Sequence, residues 1–295
     1  MSAIFSPTHS EKNLRVELSS LFASGARSGR CADECHFHVM IISYFDDSSD
    51  PLRQEYFLAG GLLADEERWI DFESAWKKAT EHLEQPFRST DCECQHGQFA
   101  DWNKSDCDAL MAQLVGLLDE HRIGGFASVI PVPDFQAVFP QLDKLAPYLL
   151  AVEHTFLNMA HIAAKTDEEI HVWFEQGTAP DADIMRIYKR LKNLECWEHR
   201  RRITNISFAD KRMPQLQAAD LVAREALKHM QNRGIRPMRK PFERLQSRVG
   251  FLLWNREILE HIQERNWPDN PAALACWSET DDNPARPDNF YGKGW

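Results

Sequence analysis

Short apolar runs that end in turn residues alternate along the chain with longer segments of helical spacing. The apolar runs predict strands, and the recurrence of apolar residues every three or four positions predicts helices. We expect five strands, over residues 38–45, 55–63, 125–132, 169–174 and 202–208. We expect helices over residues 66–83, 104–121, 147–165, 181–194 and 214–231, and a loop over 86–103.

The order of these elements indicates the fold. The short connection between the first two strands predicts an antiparallel hairpin, and the later alternation of helix and strand predicts a mixed sheet covered on both faces. Apart from a helical insertion at about 64–121, this is the order of a ribonuclease-H-like domain. We therefore expect an α/β protein whose ribonuclease-H-like, five-stranded mixed sheet lies within residues 36–231. An N-terminal arm (1–35) precedes it, and a basic-to-acidic C-terminal extension (232–295) follows.

Neither a membrane span nor a secretory signal is predicted. Apolar runs fall far short of the roughly 20 residues that a span requires, and the N-terminus lacks a basic segment followed by an apolar stretch. We expect a cytoplasmic protein with no membrane partner. The odd number of cysteines, seven, favours reduced thiols over a disulfide framework.

Two groups of cysteine and histidine could instead bind zinc. They are Cys31, Cys35, His36 and His38, and Cys92, Cys94 and His96. Thiolates and imidazoles are the usual zinc ligands, but neither group has the Cys-x2-Cys spacing of a zinc knuckle. Buried or unreactive thiols are the alternative that the spacing favours.

The formal net charge of −11 argues against a protein that coats nucleic acid through bulk electrostatics. The basic residues are nevertheless concentrated between residues 224 and 248, where one positive face could hold a polyanion. The candidate nucleic-acid-binding residues are Arg224, Lys228, Arg233, Arg236, Arg239 and Lys240. The alternative is a solvated helix face followed by a surface loop.

Acidic residues follow the apolar part of several predicted strands. Asp46 and Asp47 end the first strand, Glu175 ends the fourth, and Asp210 follows the fifth. Asp220 lies inside a predicted helix, between apolar neighbours, where an ionised carboxylate needs a partner or a metal to offset desolvation. These five residues are the candidate metal ligands.

Carboxylates that meet at one point require a cation. Two of them about 4 Å apart repel by roughly 4 kcal/mol at an effective dielectric near 20, so a cluster would protonate or separate unless a divalent ion neutralised it. Oxygen ligands with open coordination positions suit Mg²⁺ or Mn²⁺. Two such ions could activate water and stabilise the leaving oxygen in phosphodiester cleavage.

Each acid also has a structural interpretation. Asp47 could be an ordinary turn residue, Asp210 could cap the following helix, and Glu175 could be a plain strand-end acid. Asp220 could pair with Arg224 four residues later.

Glu153 and His154, inside a mostly apolar helix, form a further pair. They could supply a fourth ligand and an acid–base group, or they could be a satisfied pair of the core.

Three segments resemble the family known as the domain of unknown function numbered 3800. Residues 43–50 (Ser-Tyr-Phe-Asp-Asp-Ser-Ser-Asp) are similar to its aspartate–glutamate–serine–glycine opening, and residues 214–223 are similar to its closing Gln-x-x-Asp-Leu-x-Ala helix. Residues 87–91 and 99–102 are similar to its middle segment. The resemblance covers about residues 38–231, and the closing motif is its most specific part.

The resemblance implies a ribonuclease-H-like fold and a nuclease activity, in a family with relatives suspected of defence against phage or other mobile DNA. Asp46, Glu175 and Asp220 take the positions of the family's acids. The chain departs from the pattern at Asp47, where the family usually has glutamate, and at Ser49, where it usually has glycine.

The middle segment departs as well. Arg88 lies near the place where the family often has histidine, and Asp91 is a further possible ligand.

These observations predict a nuclease that uses Mg²⁺ or Mn²⁺ and acts on DNA or RNA through Asp46, Glu175 and Asp220, with a possible partner protein in a defence system. A nucleotide or small-phosphoester hydrolase is the second hypothesis, because small anions need only a pocket. A non-catalytic module that binds nucleic acid or protein is the third.

Overall fold

The computed structural model describes residues 40–176, 181–270 and 272–275. The proposed N-terminal arm, the first cysteine and histidine group (Cys31, Cys35, His36 and His38) and the end of the C-terminal extension lie outside these residues. The described strands form one sheet in the order β5-β4-β1-β2-β3-β6. The strands are β1 (Met40–Ser49), β2 (Tyr56–Asp65), β3 (Gly124–Pro131), β4 (Glu169–Glu175), β5 (Ile203–Ala209) and β6 (Val249–Leu253).

The sheet is mixed, as predicted. β2 is antiparallel to both of its neighbours, which confirms the predicted hairpin with β1. The other three pairings, β1 with β4, β4 with β5 and β3 with β6, are parallel. The carboxyl ends of five strands therefore lie at one edge, and β1 and β4 are adjacent there.

The expected number of strands, five, is wrong. A sixth strand lies beyond residue 231 and pairs with β3 at the edge of the sheet. The sequence did not indicate it because the apolar run of β6 has only five residues and contains Gly250. So short a run forms a strand only when it pairs with another strand. Its partner, β3, is far away in the chain, so the local sequence does not reveal the pairing.

The helices predicted from apolar spacing are present. Three helices lie between β2 and β3: α1 (Glu66–Ala79), α2 (Ser89–Cys94) and α3 (Lys104–Glu120). They are followed by α4 (Val132–Val138), α5 (Ala146–Thr166), α6 (Asp181–Lys192), α7 (Pro214–Asn232), α8 (Lys240–Leu245), α9 (Arg256–Glu264) and α10 (Ala272–Ala275). Within the described residues, none of the helices combines the length and apolar character needed to cross a membrane.

The segment 86–103, expected to be a loop, contains α2 and a 3-10 turn at Gly97–Phe99. The sequence did not predict α2 because six residues are too few for apolar residues to recur at helical spacing. Its two buried residues, Ser89 and Cys92, are polar or weakly apolar.

Two hydrophobic clusters cover the two faces of the sheet. Successive strand residues point to opposite faces, so Ile41 and Phe45 of β1 join the cluster under α5, whereas Tyr44 joins the cluster under α1, α3 and α7. Helix α7 packs directly on β1 and β2. That contact carries Asp220 to the face on which the even-numbered side chains of β1 lie.

Candidate functional site

Three of the predicted acids converge on one ammonium group. The Lys211 Nζ atom lies 3.1 Å from Asp46 Oδ2, 2.9 Å from Glu175 Oε2 and 3.3 Å from Asp220 Oδ1. We call these four side chains the Lys211 cluster. The sequence predicted that the three acids meet, but it did not identify the lysine between them.

The sheet and the helix on it bring the cluster together. Phe45 is paired with Phe174 across the parallel strands β1 and β4, so the following residues, Asp46 and Glu175, lie side by side. Asp220 comes from the second turn of α7, which crosses this face of the sheet. Lys211 lies in the short connection between β5 and α7, directly over the strand ends.

The cluster is enclosed. The exposed fraction of the side chain is 4% for Asp46 and 11% for Glu175, but 15% for Asp220 and 17% for Lys211. All four side chains are therefore largely buried, and Asp46 is the most buried of them.

Three carboxyl groups contact one ammonium in the cluster, and their proximity changes the pKa values of the group. Burial raises the pKa of Asp46 well above its usual value, and the charge of Asp220 raises it further, while Lys211 acts in the opposite direction. Burial alone would lower the pKa of Lys211, but the carboxylates of Asp220, Asp46 and Glu175 outweigh burial and raise it. The ammonium is therefore strongly held as a cation, whereas the ionised form of Asp46 is disfavoured in the absence of a further cation.

Asp47 lies at the side of the cluster. Its backbone N–H donates to Asp46 Oδ1 at 2.8 Å. Burial raises the pKa of Asp47 to about 6, and the positive charges of Arg53 and Lys211 moderate that increase. A small cleft is lined by Asp46, Asp47, Glu175 and Tyr148 of α5, among others. Asp47 follows the odd-numbered residues of β1, whose side chains lie on the α5 face, and it interacts with the cluster through its charge.

The second oxygen of Asp220 is held by a residue that the sequence did not indicate. Ser89, the first residue of α2, donates both its backbone N–H (3.0 Å) and its hydroxyl (2.6 Å) to Asp220 Oδ2. One carboxylate oxygen of Asp220 therefore faces the insertion and the other faces Lys211.

Gln217, one turn before Asp220, holds the same segment. Its Oε1 accepts hydrogen bonds from Trp76 Nε1 (3.0 Å) and from the Phe87 backbone N–H (3.1 Å), and its Nε2 donates to the Arg212 carbonyl at 3.2 Å. This glutamine of the Gln-x-x-Asp motif therefore joins the insertion, α7 and the connection that carries Lys211.

Two other candidate ligands lie apart from the cluster, which corrects the expectation for them. Asp210 is exposed, and its carboxylate accepts hydrogen bonds from the backbone and the guanidinium of Arg212. The strand has ended there, so its side chain turns outward. Asp91 is partly buried on α2, and among the described residues it is Ser89, not Asp91, whose side chain reaches Asp220.

Glu153 and His154 belong to the core rather than to the cluster. Glu153 accepts from Arg190 at 2.5 Å and from Trp267 Nε1 at 3.1 Å. The His154 ring lies 3.2 Å from the Ser128 hydroxyl and packs edge-on against Trp254. The core interpretation of these two residues is the one that these contacts support.

The alternative interpretation of Asp220, an ion pair with Arg224, is also wrong. Arg224 lies 2.7 Å from Glu93, not against Asp220. Glu93 also lies 2.8 Å from Arg239, which in turn lies 2.8 Å from the fully buried Glu225. We call these four side chains, with Lys228 at 4.0 Å from Glu93, the Glu93 network.

The Glu93 network changes the interpretation of the basic stretch. Arg224, Lys228 and Arg239 are occupied by internal contacts, since Lys228 also donates to Gln231. The remaining candidates for nucleic-acid binding, Arg233, Arg236 and Lys240, are exposed. A positive surface at this place would therefore be smaller than the sequence predicts.

The second cysteine and histidine group, Cys92, Cys94 and His96, is not arranged as a zinc site. Cys92 is buried and directs its thiol to the Cys107 carbonyl at 3.7 Å, whereas Cys94 is exposed. Two cysteines of one short helix that point to different environments do not converge on one ion.

The donors of the Lys211 cluster suit a hard divalent ion, although their spacing matches an ammonium. Carboxylate oxygens are the ligands that Mg²⁺ and Mn²⁺ prefer, at about 2.0–2.1 Å for Mg²⁺, while the cluster oxygens lie 2.9–3.3 Å from Nζ. Over residues 40–176, 181–270 and 272–275, no group of three or more His, Cys, Asp or Glu side chains is arranged to hold a metal as it stands. Metal binding would require Lys211 to leave and the carboxylates to move inward.

No protein-family model matches this chain, and a search of curated proteins finds no match either.

Proposed function

We propose that the protein is a metal-dependent phosphodiester hydrolase, and that it acts as a nuclease. The observation that carries the proposal is the convergence of Asp46, Glu175 and Asp220 on a single cation at the carboxyl edge of the sheet. Carboxylate oxygens that converge on one point are the ligands that a divalent ion such as Mg²⁺ prefers.

The proposal includes a ribonuclease-H-like fold. Its support is the order of elements over residues 40–232, in which a three-stranded antiparallel unit precedes β4, α6, β5 and α7. The helical insertion between β2 and β3, and the strand β6 added at the edge of the sheet, are departures from that order. The suggested relation to the domain of unknown function 3800 family, with a role and a partner protein in defence against mobile DNA, stays a proposal on the same footing.

Asp46, Glu175 and Asp220 would hold Mg²⁺ or Mn²⁺, and Asp47 is the nearest further carboxylate. When bound, such an ion lowers the pKa of water and stabilises the charge on a leaving oxygen. The chain's own contribution is to orient the oxygens. Lys211, on a flexible stem, can move away from the carboxylates and still remain close enough to contact a phosphate.

A specific observation favours a second candidate, a nucleotide or small-phosphoester hydrolase. The Glu93 network neutralises half of the predicted nucleic-acid-binding residues, and a small anion requires no extended positive face. The exposed Arg233 and Arg236 separate the two candidates. If the substrate is a nucleic acid, replacing both arginines with alanine should remove about two phosphate contacts. The slope of the logarithm of the binding constant against the logarithm of the salt concentration should then decrease by about 2, whereas nucleotide binding should not change.

The activity is tested by incubating the protein with Mn²⁺ and single- and double-stranded DNA, RNA and a panel of nucleotides. Asp46→Asn should lose cleavage, and the matched control Asp119→Asn, which removes a surface carboxylate paired with Arg248, should keep it. Mn²⁺ binding without cleavage of any polynucleotide would reject the nuclease. If Mn²⁺ also fails to raise the melting temperature, the acids are structural and the non-catalytic hypothesis is favoured.

A further inference from the structure

The geometry around Asp220 assigns different tasks to its two oxygens. Oδ1 contacts Lys211, and Oδ2 accepts two hydrogen bonds from Ser89. A carboxylate held by two donors on one oxygen cannot rotate freely, so its other oxygen remains directed at the cation position. Hydrogen bonds to an ionised acceptor are about twice as strong as neutral ones.

Ser89 itself is firmly held. Its side chain is fully buried, so water cannot easily take the place of its hydroxyl. The residue two positions earlier, Phe87, donates its backbone N–H to Gln217 of α7. Four residues after Ser89, Glu93 forms the ion pair with Arg224 of the same helix. The segment from Phe87 to Glu93 is therefore fixed to α7 on both sides of Ser89.

The contact between Ser89 and Asp220 does not involve the strands that form the rest of the site. The strands supply Asp46 and Glu175, but Asp220 stands on a helix whose side chain could adopt other rotamers. Ser89 removes that freedom through a part of the chain that is 131 residues away in sequence. The insertion between β2 and β3 thus completes the site without contributing a ligand.

We propose that Ser89 is the positioning residue of Asp220, and that it fixes the orientation in which Oδ1 can bind a divalent ion. The inference rests on the proposed function for the identity of that ion. The orientation of Asp220 itself does not depend on it.

The test uses three variants of the full chain. Ser89→Ala removes the hydroxyl, and Ser89→Cys fills the same space with a weaker donor. Ser43→Ala is the matched control, because Ser43 is equally buried and its hydroxyl donates to the Leu62 carbonyl at 2.9 Å without contacting the Lys211 cluster.

Two measurements are made on each variant: the Mn²⁺ dissociation constant by calorimetry, and a crystal structure without metal. Outer-shell partners of metal ligands typically contribute 10- to 100-fold to affinity, so we expect Ser89→Ala to weaken Mn²⁺ binding by about that factor, Ser89→Cys by less, and Ser43→Ala not at all. In the metal-free Ser89→Ala crystal, Asp220 should leave its orientation and its Oδ1 should separate from Lys211.

The outcomes distinguish the two claims. If the native protein binds no Mn²⁺ but Asp220 turns away in Ser89→Ala, the metal proposal fails and the positioning role stands. If native Mn²⁺ binding is found, and Ser89→Ala leaves both the affinity and the Asp220 side chain unchanged, the positioning role is overturned while the metal proposal stands. An equal loss of affinity in Ser43→Ala would also overturn it, since the loss would then follow from stability alone.

Discussion

The Lys211 cluster and the Glu93 network both bury carboxylates on the same face of the sheet, and they neutralise them differently. In the Glu93 network, Glu93 and Glu225 face Arg224 and Arg239 at 2.7–2.8 Å, so each negative charge has a guanidinium partner. In the Lys211 cluster, three carboxylates share one ammonium. The carboxylates of the Lys211 cluster thus meet at one cation, whereas those of the Glu93 network are divided between two guanidinium groups.

The type of cation distinguishes the structural ion network from the candidate site. Guanidinium groups bind carboxylates through several fixed donors and rarely leave. An ammonium on a four-carbon stem is a single mobile charge. Burial raises the pKa of Glu225, and Arg239 opposes this increase more strongly than Glu93 adds to it. For Asp46, Asp220 adds to the effect of burial more strongly than Lys211 opposes it. The convergence of three carboxyl groups on one ammonium therefore makes the Lys211 cluster the functional candidate.

The largest expected effect is on catalysis. Asp220→Asn should lower kcat/KM by about 1000-fold, or about 4 kcal/mol of transition-state stabilisation, because a neutral amide cannot replace a carboxylate ligand of the metal. Glu93→Gln in the other network should change kcat/KM much less. Steady-state kinetics at saturating Mn²⁺ measures both, and equal losses in the two variants would remove the distinction between the clusters.

Stability should show the reverse order. Glu225→Ala leaves Arg239 partly buried beside only one carboxylate, and we expect the free energy of unfolding to fall by about 3 kcal/mol. Asp46→Asn removes a charge that burial disfavours, so it should cost less than about 1 kcal/mol in the absence of metal. Urea denaturation in the presence of a chelator compares them. A larger loss for Asp46→Asn would mean that the Lys211 cluster is an ordinary stabilising ion network.

The pH dependence of metal-free stability sharpens the comparison. The pKa values of Asp46 and Asp47 are raised in the folded protein, to about 6 for Asp47, so the folded state binds protons more tightly than the unfolded state. Their contribution to stability is therefore complete below the unfolded pKa near 4 and is lost as the pH rises through 6.

We expect the free energy of unfolding in chelator to decrease by on the order of 2 kcal/mol from Asp47 between pH 4 and pH 7, and Asp46 should add to the decrease. Asp47→Asn should flatten part of that decrease, and saturating Mn²⁺ should remove most of it. A decrease that is identical in Asp47→Asn would show that other groups cause it.

The smallest expected effect concerns the ammonium itself. Lys211→Met removes the competing cation, so Mn²⁺ should bind about tenfold more tightly, a gain of about 1.4 kcal/mol. The matched control is Lys228→Met, which removes a lysine near Glu93 while the arginines remain. Weaker Mn²⁺ binding in Lys211→Met would show that Lys211 favours metal binding and does not compete with the metal for the carboxylates.

The sequence predicted the acids of the site better than their surroundings. Asp46 and Glu175 follow apolar strand runs, and Asp220 interrupts an apolar helix, so local pattern is enough to identify them. The sequence pattern does not show in which direction each acidic side chain points, and this direction decides which acids meet. Asp210 is an example: it lies one residue past the end of β5, and its side chain is exposed.

The residues that the sequence missed act over long distances. Ser89 meets Asp220 and Glu93 meets Arg224 across 131 residues, and no spacing rule connects such pairs. Strand β6 was missed for the same reason, since a five-residue run is defined by its distant partner β3. Lys211 could have been considered, because it directly follows a strand-end acid in a short connection to the motif helix.

The most direct test of the account is a crystal of the native protein soaked in Mn²⁺ and measured at the manganese absorption edge. We predict an anomalous peak between the carboxylates of Asp46, Glu175 and Asp220, with the Lys211 ammonium displaced from its place among them. A fully soaked crystal in which Lys211 still contacts all three carboxylates, with no peak beside them, would contradict the claim that a divalent ion replaces that cation.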